Sequence, residues 1–412
     1  MNEAGGPGGR GPFGFRRNVF YLGVVSLLTD VSSEMVFTLL PLFLLNVLRV
    51  GTPVIGLIEG IAEGTASLLK VLSGWLSDRV GRRKGLAVLG YGLSTLAKPF
   101  LYFVSAWGPA GAVRFVDRVG KGVRTSPRDA LIADSSPPEE MGKSFGLHRG
   151  MDTLGAVLGL AAAALIVYVV QRGGAELTRD AFQKLVLIGT IPAVLAVLAL
   201  LFLVRDRVRR ASSSTGDGTA RDQPPGVDKR GNGFDLRFKL FLAAVVIFTL
   251  GNSSDAFLIL RAQNLGFSVV SILLLLVAYN LVYALVSLPA GLVSDRLGRR
   301  GVIAAGWSVY ALAYLGFGLA SSTWHLWLLF ALYGLYYGIA EGVSRAYVAD
   351  LVPVEKRGTA YGIYHTAVGL SLLPASVIAG WLWQLIGPEA PFFFSAAMAG
   401  AAMLAFVLLV RR

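Results

Sequence analysis

Two stretches decide how this chain folds: "GWLSDRVGRRK", Gly74 to Lys84, and "GLVSDRLGRRG", Gly291 to Gly301, one pattern repeated 217 residues later. Each sets an aspartate, glycines and several basic residues between apolar runs, so each reads as a short polar turn joining two buried helices. A second repeat pairs "ADSSPPEEMGKSFG", from Ala133, with "ADLVPVEKRGTAYG", from Ala349, at an offset of 216. A third aligns "VVSLLTDVSSE" with "VVIFTLGNSSD" and sets Glu34 against Asp255, 221 residues apart. Repetition on this scale implies two halves of like fold in parallel orientation.

Composition says where those halves sit. Of 412 residues, 54% are hydrophobic and 15% charged, against a charged fraction of about 25% in soluble proteins, and mean hydropathy is +0.63. Runs of about 20 apolar residues recur, each long enough to cross a hydrocarbon core of about 30 Å. They give about twelve spans: 18–46, 53–77, 84–105, 108–132, 143–170, 184–204, 238–265, 268–293, 301–321, 324–350, 359–385 and 391–410. The expected fold is an all-α membrane protein with twelve transmembrane helices in two pseudo-symmetric six-helix halves. Residues 1–17 read as a cytoplasmic tail, 18–204 and 238–412 as the halves, and 205–237, which is Gly/Pro/Ser-rich and polar, as a flexible cytoplasmic linker. The opening "MNEAGGPGGRGPFGF" lacks the apolar core of a cleavable signal.

A net charge of +13 fits nucleic acid or membrane topology, and position decides between them. The basic residues fall mainly in alternate turns: Arg16/Arg17, "DRVGRRK", "RDRVRR", "DRLGRR", "EKRG" and Arg411/Arg412 on one side, nearly uncharged turns such as "SAWGP" on the other. By the positive-inside rule both termini are cytoplasmic, in a bacterial inner membrane. Arg172, Arg179 and Lys184 run against the rule. The partners implied are the lipid bilayer, a small-molecule substrate and protons, without nucleic acid, in a monomer. With no cysteine there is no disulfide framework or thiolate metal site. "GKS" at Gly142 lacks the strand and first glycine of a phosphate loop, so no nucleotide or other cofactor is expected. "NSS" at Asn252 falls inside a helix, where it is no glycosylation acceptor.

Charges inside spans carry the chemistry. Arg114, Asp117, Arg118, Lys121, Arg124 and Arg128 follow three- and four-residue steps along one face of helix 4. At about 2.5–3.5 kcal/mol per uncompensated charge near the bilayer centre, Arg118 and Lys121 alone would cost roughly 5–7 kcal/mol against lipid. They must face water, carboxylates or substrate. A buried ion network and direct substrate binding are both open. Glu34, with Asp30 one turn before it, and Asp255 stand near the middle of helices 1 and 7. A carboxylate in a low-dielectric cavity resists ionisation and can exchange a proton, and a neighbouring cation reverses that tendency. Glu59 and Glu63 in helix 2 and Glu341 with Arg345 in helix 10 are further candidates; His148, Arg149, Asp152 and His365 lie nearer the cytoplasm. Tyr279, Tyr283, Tyr336 and Tyr337 either line a cavity or pack tightly.

These residues resemble the major facilitator superfamily, and in particular its proton-coupled drug and small-solute exporters. Its signature G-x-L-x-D-R-x-G-R-R/K is met by Gly74, Leu76, Asp78, Arg79, Gly81, Arg82 and Arg83, and its second copy by Gly291, Asp295, Arg296, Gly298, Arg299 and Arg300. The helix-4 motif R-x-x-Q-G resembles Arg118 to Gly122 with Lys121 in the glutamine position. The antiporter motif of helix 5, a run of glycines with a proline after the second, is half met by Gly155 and Gly159, with Leu160 where proline is usual. The resemblance implies a cavity lined by helices 1, 4, 7 and 10 that opens alternately to each side. It also implies a cytoplasmic gate of Asp78, Arg79, Arg82, Arg83, Arg124, Arg128 and Asp134, repeated in Asp295, Arg296, Arg299, Arg300 and Asp350. Asp134 suits Arg82/Arg83 as a partner, and Asp350 suits Arg299/Arg300.

The function expected is secondary active transport of a small organic solute, without enzymatic chemistry and as proton-coupled efflux. An organic-anion transporter using the helix-4 cations is the alternative, and a non-transporting receptor or scaffold is the reading from another class. Metal export on Asp30, Glu34 and Asp255 lacks any recognised ligand spacing.

Overall fold

The computed structural model describes residues 15–80, 83–137, 141–172, 174, 176–205, 234–352 and 357–409, and all regular structure among them is helical. The first half comprises α1 (Arg17–Val36), α2 (Thr52–Val80), α3 (Arg83–Ala97), α4 (Trp107–Ser135), α5 (Met141–Gln171) and α6 (Arg179–Leu203). The second comprises α7, in two pieces α7a (Leu236–Gly251) and α7b (Ala256–Asn264), then α8 (Val269–Leu297), α9 (Arg299–Leu319), α10 (Thr323–Asp350), α11 (Arg357–Leu385) and α12 (Ala390–Leu409). Ten of these are long and apolar enough to cross a bilayer. The exceptions are α2 and α4, whose apolar runs are interrupted by glutamates in one and arginines in the other. Residues 206–233 of the expected linker, and 1–14 of the tail, lie outside the described residues.

The halves pack alike. In the first, α4 lies against α2 and α3 while α1 lies against α5 and α6; in the second, α10 lies against α8 and α9 while α7 lies against α11 and α12. They meet along two equivalent seams, α2 on α11 and α8 on α5. Small residues set the first seam. Gly56, Gly60 and Gly64 recur every four residues, and a Cβ on Gly60 would stand 3.0 Å from the Leu373 carbonyl oxygen and 3.1 Å from Leu373 Cα. Thr52 Oγ1 donates to the Gly380 carbonyl across it at 3.2 Å.

The repeated turn also explains its glycine. Gly298, between α8 and α9, has φ of +91°, a left-handed conformation that glycine adopts without a Cβ clash. Arg83 meets Asp134 at 2.8 Å and donates to the Ala130 carbonyl at 2.8 Å; Arg299 meets Asp350 at 2.5 Å. Arg82, and the side chains of Asp78 and Asp295, lie outside the described residues.

Two spans expected to be continuous are interrupted. The chain leaves helix after Val36 and resumes at Leu40, and α7 stops at Gly251 and restarts at Ala256, so Asn252 is not inside a helix as the sequence suggested. Exposed backbone groups inside a bilayer must find partners. Here Tyr310 Oη donates to the Gly251 carbonyl at 3.1 Å and to Asn252 Oδ1 at 3.3 Å, and Ser376 Oγ accepts from Ser254 N–H at 3.2 Å. The charges that contradicted the positive-inside pattern have local work: Arg179 donates to the Val104 carbonyl at 2.9 Å, and Lys184 pairs with Asp180 at 2.8 Å.

Candidate functional site

Between the halves lies a cavity of about 420 Å³. Its first-half wall carries Asp30 and Glu34 from α1, Glu59 and Glu63 from α2, and Arg114, Arg118, Lys121 and Arg124 from α4. The facing wall is the α7 break, Asn252 to Ala256, with Tyr279 and Asn280 from α8 and Tyr337 from α10. Helices 1, 4, 7 and 10 thus contribute as the resemblance implied, joined by α2 and α8. The walls differ in kind: one is ionic, the other sets Tyr279, Tyr337, two serines, two asparagines and aliphatic side chains around the carboxylate of Asp255.

On the ionic wall, two arginines are spoken for. Arg114 meets Glu59 at 2.7 Å and Glu63 at 3.6 Å. Arg118 meets Glu63 at 2.9 Å and Asp117, itself fully buried, at 2.9 Å. Both guanidinium groups lie over the Phe37 ring, 5.1 and 6.0 Å from its centroid. Small residues let α4 come close enough: a Cβ on Gly122 would be 2.9 Å from the Ala66 carbonyl oxygen of α2.

Other charges lack opposite partners. The Lys121 ammonium has no carboxylate within 4 Å and no hydrogen bond among the described residues. Arg124, expected with the gate, instead lines this cavity; it donates to Ser94 Oγ at 2.7 Å and lies 4.7 Å over the Tyr91 ring. Glu34 accepts from Thr38 Oγ1 at 2.6 Å, and Asp255, at the N-terminus of α7b, accepts from Tyr333 Oη at 2.6 Å. Neither has a cation within salt-bridge distance among the described residues, nor does Asp30. The helix-5 glycines hold α5 against α1 beside this group, since a Cβ on Gly159 would be 2.9 Å from Val31 Cα and 3.0 Å from Glu34 Cβ.

Sequence reasoning missed two residues. Lys98, fully buried at the end of α3, donates to Ser32 Oγ at 2.7 Å and Ser33 Oγ at 3.1 Å, beside Glu34 in α1. A lone lysine in the apolar run "LSTLAKPFLYF" was its signal. Tyr333 was passed over among neighbouring tyrosines, although it holds Asp255 and stacks on Tyr279 with ring centroids 5.4 Å apart.

A second cavity, of about 470 Å³, opens nearer the termini-bearing end. It is lined by Arg128, Arg149, Arg299, Glu341 and Arg345 among others. Arg128 meets Asp129 at 2.9 Å and donates to Ser26 Oγ at 3.2 Å. Here the halves are tied by polar groups: Arg149 of α5 hydrogen-bonds Tyr283 and stands 3.6 Å from Glu341, which accepts from Tyr283 Oη at 2.7 Å and pairs with Arg345. His148 lies beside Asp152 at 3.5 Å. Of the other expected gate residues, Arg79 is exposed over the Trp75 ring, Arg296 is exposed, and Arg300 donates to the Val407 carbonyl.

Comparison with known proteins agrees with this architecture. The family model described as Major Facilitator Superfamily matches residues 22–254 and 240–412. The chain is 38% identical over 391 residues to an uncharacterized MFS-type transporter of Methanocaldococcus jannaschii, covering 93% of this chain and 92% of that one. It is 32% identical to the class E tetracycline resistance protein of Escherichia coli over 143 residues, 35% of this chain and 33% of that protein. Among solved structures, a point mutant of the nucleoside transporter NupG superposes with a TM-score of 0.77 at 13% identity, covering 95% of this chain and all of that one.

Proposed function

The chain belongs to the Major Facilitator Superfamily of transporters, and from that premise we propose that it moves a small organic solute outward by proton-coupled alternating access. The observation that carries this reading is the placement of Glu34 and Asp255 on opposite walls of one cavity, each hydrogen-bonded by a hydroxyl and neither with a cation within salt-bridge distance among the described residues. Protonating either removes a negative charge from the space between the halves. That changes which arrangement of the halves is favoured, by as much as the proton's affinity differs between them. A solute in the cavity biases the same equilibrium the other way. The partial likeness to a tetracycline resistance protein supports the outward direction. Both termini lie in the cytoplasm of a bacterial inner membrane in this account, and one chain suffices, because it supplies both halves of the cavity. Arg83–Asp134 and Arg299–Asp350 then act as paired locks of the cytoplasmic gate. A second reading, organic-anion transport, draws on Lys121, which lines the cavity with no carboxylate within 4 Å among the described residues.

The test is purified protein in liposomes under an imposed pH gradient, screened with a panel of solutes. Glu34→Gln and Asp255→Asn are expected to abolish gradient-driven accumulation while leaving the protein folded. Full accumulation by both variants contradicts the coupling role.

A further inference from the structure

We propose that the central cavity selects a monovalent organic cation with an aromatic or apolar body, an inference about substrate class that rests on the transporter reading. The charge preference is set by the groups that the ionic wall leaves over. Arg114 and Arg118 are engaged by Glu59, Glu63 and Asp117 at 2.7–2.9 Å. A ligand anion must displace a carboxylate from them, with two charges left to be resatisfied in a low-dielectric wall. That network is itself one carboxylate in excess, three against two arginines, and the buried Lys98 beside Glu34 offsets it; around it the cavity holds three carboxylates, Asp30, Glu34 and Asp255, against two cations, Lys121 and Arg124. With every group ionised, the unmatched charge is one negative unit. A single positive charge balances it, whether proton or ligand, so the two compete without any further linkage.

A separate observation points the same way. Glu59 is only 3% exposed, and among the described residues its Oε1 has no hydrogen-bond donor although its Oε2 meets Arg114. Asp117 Oδ1 in the same network also lacks a donor among the described residues, against one unpartnered N–H, Arg114 Nε, so acceptors are in excess on this wall.

The second-half wall supplies the rest of the recognition. Tyr279 and Tyr337 line the cavity next to Asp255, with ring centroids 5.7 Å apart in an edge-to-face arrangement, and Tyr333 behind them holds the carboxylate. Aromatic faces beside a carboxylate attract a cation through the ring quadrupole while their carbon surface takes up its apolar body. A bare metal ion is a poor fit: among the described residues no group of three or more His, Asp or Glu side chains converges to hold one.

The experiment uses two ions of the same shape and opposite charge, tetraphenylphosphonium and tetraphenylborate, in equilibrium binding to the purified full chain. The phosphonium is expected to bind saturably and to be displaced as pH falls, and the borate not to bind saturably. Asp255→Asn is expected to weaken phosphonium binding by about tenfold, the loss of one charge-assisted contact. Tyr337→Leu is expected to weaken it roughly fivefold and Tyr337→Phe to stay within about twofold, because the phenyl face is retained. Tighter binding of the borate, lost in Lys121→Gln and kept in Asp255→Asn, overturns the proposal in favour of an anion site. Saturable binding of neither ion also overturns it. If the liposomes still accumulate some other solute, only the cation assignment has failed; if they accumulate none of the panel, the transporter reading fails with it.

Discussion

Tyr333 Oη donates to Asp255 Oδ1 at 2.6 Å, so the carboxylate that faces the ionic wall is aimed from behind by the aromatic half. Tyr333→Phe keeps the ring and removes only that donor. It is expected to lower solute affinity several-fold, less than the loss of the Asp255 charge itself, because the hydrogen bond aims the carboxylate without carrying its charge, while gradient-driven transport persists. Isothermal titration paired with liposome uptake checks both halves of this expectation.

The Arg114–Glu59 pair, at 2.7 Å with both side chains buried, gives a test of the ionic wall. Arg114→Met alone leaves Glu59 a buried charge without its cation and is expected to cost about 3–5 kcal/mol, whereas Glu59→Gln is expected to cost less, because Arg114 keeps Glu63 at 3.6 Å and Asp117 at 3.9 Å. The double replacement removes both charges and is expected to be clearly more stable than the Arg114→Met single variant. Thermal unfolding in detergent, run as a double-mutant cycle, reads the difference.

The α2–α11 seam predicts a conformational effect rather than a chemical one. Gly60→Val adds branches where a single Cβ already comes within 3.0 Å of the Leu373 carbonyl oxygen. Because that neighbour is backbone, the seam must part, and the protein is expected to favour states in which these helices are separated. Faster modification of a cysteine introduced at Ser376, relative to the same reporter without Gly60→Val, measures it.

Arg149, Tyr283 and Glu341 join the halves near the termini-bearing end. Arg149→Ala is expected to leave solute binding in the central cavity within about threefold, since a half-exposed ion pair contributes about 1 kcal/mol or less. It is expected to change the transport rate, because the contact must break and reform in each cycle. Binding and initial uptake rates on one preparation separate these effects.

Much of this was legible in the sequence, and the rest was hidden for physical reasons. The repeated "SDRVGRR" and "SDRLGRR" turns announced two halves because glycine and arginine at those positions suit a tight turn and ion pairs to the ends of α4 and α10, as Gly298, Arg83–Asp134 and Arg299–Asp350 show. The charged face of α4 was visible from spacing, since no such stripe can meet lipid. Which of those charges would be paired was not visible. Arg118 is held by Glu63 from another helix, and Arg124 turns to Ser94 and Tyr91 in α3. The break in α7 escaped notice because the apolar runs up to Leu250 and from Ala256 onward let one span be drawn across the polar Asn252 to Asp255, and the groups that satisfy its backbone, Tyr310 and Ser376, come from α9 and α11.

Alternating access is the central claim, and distances at the two ends of the molecule test it most directly. The chain has no cysteine, so spin labels at Gly51→Cys with Gln384→Cys, and separately at Phe145→Cys with Ala346→Cys, report on opposite ends without background. Measured by pulsed electron resonance in lipid across a pH series, with and without a transported solute, the two distances are expected to change in opposite directions, one lengthening as the other shortens. Two distances that stay fixed, or that lengthen and shorten together, contradict the account.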